Sequence, residues 1–154
     1  MANPHPYIVH FPIALFICAI VCEIATRLLP ESDDSSKQSL RVLLSNTSLV
    51  TSIGAALAAI AAVITGLLAA RIVPDTGKVH EVLNSHETLG YVVTASAIVF
   101  AATKLWSHIK KSDKLSLLLI TVGLLGILVI ALTANEGGEL VYKYGVGMSE
   151  AVAP

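Results

Sequence analysis

Four stretches of this chain, about residues 7–29, 47–73, 86–106 and 115–135, each run for twenty or more residues with few charges. A helix needs about 20 apolar residues to cross roughly 30 Å of hydrocarbon. Inside that layer the backbone must satisfy its own hydrogen bonds, which restricts a spanning chain to helices or a closed barrel. Runs of this length predict four transmembrane helices, an all-α up-down bundle. Charged residues are 14% of the 154, against about 25% in soluble domains, so water is not the main solvent. The connectors are too short to hold a second domain, and residues 1–154 read as a single integral membrane domain. No basic segment or small-residue cleavage site sets the first run apart as a leader, so it reads as a permanent anchor. A formal charge of -1 argues against nucleic acid as a partner.

The connectors fix an orientation. Arg27, Lys37, Arg41, Lys104, Lys110, Lys111 and Lys114 fall on one side of the four spans; Arg71, Lys78 and Lys143 fall on the other. By the positive-inside rule the first side is cytoplasmic. Both termini are then expected outside, which in a bacterial inner membrane is the periplasm.

That orientation gathers four of the five histidines at the outer end: His5 and His10 at the first span, His80 and His86 at the third. His108 stands alone in the basic inner connector and carries no role. Spans one and three run the same way and oppose each other diagonally in an up-down bundle. His10 and His86 are therefore expected to approach at similar depth, as the two axial ligands of a b-type haem. Ala14 and Gly90 lie four residues beyond them on the same faces, small enough for a porphyrin edge. His5 and His80 then serve a second haem at the rim, or hold propionates, a quinone headgroup or a small metal ion. Pro6 and Pro12 argue against a continuous helix before Pro12. Because Glu81, Glu87, Glu136 and Glu139 share this side, the alternative is a non-haem site for copper, zinc or iron. The Glu-x-x-His repeats of a di-iron bundle are absent from the sequence.

Elsewhere the signals are structural. Glu23 precedes Arg27 by four residues, the spacing of a helix ion pair. Cys18 and Cys22 read as small apolar residues within the first span. After the fourth span, Gly137 and Gly138 are expected to end the helix in a left-handed turn. The tail 136–154 would then fold back as a non-helical or short lid over the histidines, with Tyr142 and Tyr144 at the interface.

The stretch HPYIVHFPIAL at the start, His86 with Gly90, and GGELVYKYGVGM near the end resemble the bacterial membrane-protein family called domain of unknown function 2231, over nearly the whole chain. The resemblance implies a four-helix membrane fold in the bacterial envelope and implies little chemistry. The histidine pattern itself points to a small inner-membrane b-type cytochrome carrying one or two haems, an electron-transfer protein more than a catalyst. Its partners would be membrane lipid, a second copy or a larger redox complex, and a quinone or periplasmic electron carrier. The rival is a cofactor-free structural or assembly subunit.

Overall fold

The computed structural model describes residues 4–73, 77–112 and 114–147. These form α1 (His5–Ile8), α2 (His10–Leu28), α3 (Ser35–Ala70), α4 (Gly77–Lys110) and α5 (Ser116–Tyr142), with no strand among them. Four units are long and apolar enough to cross a membrane: α1 with α2, then α3, α4 and α5. They pack in chain order, α2 on α3, α3 on α4 and α4 on α5, with a lighter contact closing α2 onto α5.

α3 and α4 begin well before their apolar stretches, and α5 runs on past the end of its own. α3 begins at Ser35, where the Asp34 carboxylate accepts the Ser36 amide at 2.9 Å and satisfies a donor that a helix start leaves open. α4 begins at Gly77, so His80 and His86 share one helix. At the start of the chain, Pro12 lacks the amide that would bond the Ile8 carbonyl. Even so, Val9 keeps helical angles (φ -60°, ψ -24°) and its amide donates to the His5 carbonyl. Helical geometry thus reaches back to His5, further than the two prolines suggested. α2 stops where Leu29 turns extended ahead of Pro30, as the residue before a proline tends to. The Leu29 carbonyl accepts from Arg41 Nη1 at 3.0 Å.

The bundle interior is narrow because small residues line it. Phe16, Ala19, Ile20, Ala55, Ala59, Ala97, Phe100, Leu119 and Ile130 form its buried cluster. The rings of Phe16 and Phe100 cross the diagonal between α2 and α4 at 5.5 Å, edge to face. Gly123 and Gly126 on α5 face Ile20 and Phe16; a Cβ at Gly126 would come within 2.5 Å of the Phe16 ring. Close approach of this kind is how helices associate where apolar burial gives no advantage over lipid. The outer surface carries exposed Leu, Ile and Val on every spanning helix, which places lipid against it.

The helix end expected at Gly137 and Gly138 is corrected. α5 runs straight through Gly137 and Gly138 to Tyr142. The left-handed turn falls at Gly145 (φ 68°), where the Gly145 amide donates to Val141 O and that of Val146 to Leu140 O. Residues 148–154 of the tail lie outside the described residues.

Candidate functional site at the histidine end

Two imidazoles meet at one end of the bundle. The rings of His5, on α1, and His86, on α4, have centroids 6.4 Å apart and planes at 89°. Each is positioned by a neighbouring helix. His86 Nδ1 donates to the carbonyl of Thr133 on α5 at 3.0 Å. His5 Nδ1 lies 3.3 Å from Thr65 Oγ1 on α3. Thr65 Oγ1 also lies within hydrogen-bond reach of the backbone carbonyls of Ala61 and Ala62, and with its proton on either of these the oxygen accepts from the imidazole. The Thr133 carbonyl can only accept, so His86 carries a proton on Nδ1, the state that a backbone acceptor imposes on a ligating histidine.

Both rings lie against glycines. A Cβ at Gly66 would stand 3.0 Å from His5 Cε1, and one at Gly137 would stand 3.1 Å from His86 Cε1. Gly137 thus makes room for His86 within a continuous helix.

The structure sets His5, not His10, beside His86. Five residues turn a helix by about 140° beyond a full turn, so the two N-terminal histidines cannot face the same way. His10 is exposed, on the stripe of Ala14, Ile17, Val21 and Leu28, all exposed. Ala14 accordingly lines the outside of the bundle. Gly90 is one turn beyond His86, and a Cβ there would meet nothing within 4 Å. His80 is exposed and hydrogen-bonded to Asn84 at 2.8 Å; its six-residue offset from His86 turns it to another side of α4. The carboxylates disperse as well. Glu136 accepts from Ser85 at 3.0 Å, Glu139 pairs with Lys143 at 2.6 Å, Glu81 is exposed, and Glu87 borders a groove between α3 and α4. Among the described residues no three His, Cys, Asp or Glu side chains come together to hold a metal ion.

The opposite end holds a second polar cluster. Glu23 and Lys104 are buried and joined at 2.5 Å, Arg27 reaches the other carboxylate oxygen at 2.8 Å, and Ser45 accepts from Lys104 Nζ at 3.1 Å. Lys104, counted with the basic connector on sequence grounds, is part of the interior. Eighteen residues separate His5 from Glu23 and also His86 from Lys104, five whole turns or about 27 Å. Each helix thus carries both of its polar groups on one face. Ionisable side chains within a membrane span turn toward the protein interior, so Glu23 and Lys104 mark the inward stripes. Counting back five turns from each finds His5 and His86, whereas Thr65, Thr133, Gly66 and Gly137 carry no comparable sequence signal.

A family model described as a predicted membrane protein (DUF2231) matches residues 2–150. No curated protein and no solved structure matches the chain.

Proposed function

The chain belongs to the DUF2231 family of predicted membrane proteins, and we propose that it is a small b-type cytochrome whose haem is held between His5 and His86. One observation carries this reading: two imidazoles from opposed helices, each with Nδ1 hydrogen-bonded to a neighbouring helix, stand 6.4 Å apart. Two imidazole nitrogens each bonded to one metal ion at about 2 Å would bring the ring centres to roughly that distance. A porphyrin would supply four nitrogens of its own and leave two ligands to the protein, which suits a pair of imidazoles. The open space at Gly90 favours a planar group beside His86. The bound group would supply one-electron chemistry. The protein's part is to orient the rings through Thr65 and Thr133 and to seat them on Gly66 and Gly137. The distribution of lysine and arginine supports a bacterial inner-membrane placement with this end at the periplasmic side.

The test is a dithionite-reduced minus air-oxidised spectrum of detergent-purified protein from haem-sufficient cells, with haem counted per chain. The expected outcome is a low-spin spectrum that His5→Ala and His86→Ala each abolish and His10→Ala retains. Colourless wild-type protein, or unchanged spectra in both ligand variants, would overturn the proposal. A second reading has its own support. Perpendicular aromatic rings at 6.4 Å also fall within the range of a packing contact, which would make the pair a cofactor-free fastener in an assembly subunit. Colourless protein that co-purifies with a membrane partner would favour it.

A further inference from the structure

An open groove of about 390 Å³ between the end of α3 and the start of α4 is bordered by Leu67, Arg71, His80, Leu83, Asn84 and Glu87, among others, with His80 hydrogen-bonded to Asn84. A guanidinium and a carboxylate therefore border one recess from opposite helices. Neither side chain makes a hydrogen bond or ion pair among the described residues, with each other or with anything else. Opposite charges held apart across a recess complement a ligand that carries both signs at a fixed separation.

The surroundings narrow the class. Ile60, Ile64, Leu67 and Arg71 follow at four- and three-residue intervals, one stripe of α3. The three apolar members are 41%, 55% and 39% exposed, and Arg71 stands at the helix end above them. That is a lipid-facing track ending in a cation. The Glu87 carboxylate within the groove disfavours a purely anionic headgroup.

We propose that this groove binds one zwitterionic phospholipid with a primary ammonium, phosphatidylethanolamine. Its phosphate lies at Arg71, its ammonium at Glu87, and an acyl chain follows Leu67, Ile64 and Ile60. The inference is independent of the haem reading, since lipid retention and haem content are measured separately.

The test is native mass spectrometry of the full chain, released from detergent after incubation with equimolar phosphatidylethanolamine and phosphatidylglycerol of matched acyl chains. The expected result is preferential retention of one ethanolamine lipid. Arg71→Gln and Glu87→Gln should each lower that retention about fivefold, in keeping with partly exposed charge pairs of up to 1 kcal/mol. Phosphatidylcholine keeps the charges but loses the N–H donors, and should be retained less. Lys143→Gln, outside the groove, should change nothing, and thermal melts would establish that the variants are folded. Equal retention of the two lipids, or an ethanolamine preference surviving both groove variants, would overturn the proposal. Competition by soluble phosphoethanolamine would also overturn it, because a site that needs the acyl track should not take the headgroup alone.

Discussion

Lys104 on α4 crosses the bundle to Glu23 on α2, Nζ to Oε2 at 2.5 Å, and both side chains are buried. The contact is diagonal, as are Phe16 with Phe100 and His5 with His86. Three pairs between the same two parallel segments therefore fix their register: one at each end and one between. The polar pairs sit where polar groups are least costly, near the membrane edges, and the apolar pair fills the middle.

Breaking the buried ion pair should destabilise the bundle strongly. Glu23→Leu or Lys104→Met leaves a buried charge less compensated, at a cost of about 3–5 kcal/mol. The double variant Glu23→Leu with Lys104→Met should recover much of the loss, since an apolar pair of similar volume carries no desolvation penalty. Thermal melts of the four proteins in one detergent measure the coupling; additive losses would count against a direct pair.

Glycine substitutions should separate by what they meet. Gly126→Ala drives a methyl group toward the Phe16 ring at 2.5 Å and should cost about 1–3 kcal/mol through overpacking. Gly90→Ala meets open space and should leave the melting temperature of the cofactor-free protein unchanged.

Gly66→Ala and Gly137→Ala should act on the histidines. Their new methyl groups would crowd His5 and His86 at 3.0 and 3.1 Å, so the rings must shift. On the cytochrome reading, the expected outcome is lower haem content or an altered low-spin spectrum, with far less effect on the melting temperature than Gly126→Ala.

Thr65 should matter through its oxygen alone. Thr65→Val keeps the side-chain shape and removes the acceptor of His5 Nδ1, whereas Thr65→Ser keeps it. Outer-shell acceptors of ligating histidines are worth about 10- to 100-fold in metal affinity. A haem titration of apoprotein should show a loss of that order for valine and near-normal binding for serine. Equal effects of the two would mean that the hydrogen bond does not position the ring.

Topology can be read with thiol labelling. In a background where Cys18 and Cys22 are replaced by alanine, Lys78→Cys should react with a membrane-impermeant maleimide on intact cells and Lys111→Cys should not, as the lysine and arginine distribution requires. The reverse pattern would invert the orientation and move the histidine end to the cytoplasmic side.

The sequence by itself determined the number of spans, the gathering of four histidines at one end, and the pairing of Glu23 with Arg27. Each rests on a property that acts along the chain: hydrocarbon thickness sets helix length, and helical rise sets which side chains are neighbours. The inward stripes were also legible, because a carboxylate or an ammonium within a membrane span has to face protein, and Glu23 and Lys104 stand five turns from His5 and His86. Reading His10 as the inward ligand passed over that phase and let the prolines stand for a broken helix. Only the tertiary structure decided that Gly137 continues a helix rather than ending one. The same pair of glycines can cap a helix or make room beside it, and the choice depends on the His86 ring packed there from α4. It likewise decided that Thr65 and Thr133 hold the imidazoles, since hydrogen bonds between residues 47 or 60 positions apart leave no period in the sequence and exist only once the helices are packed.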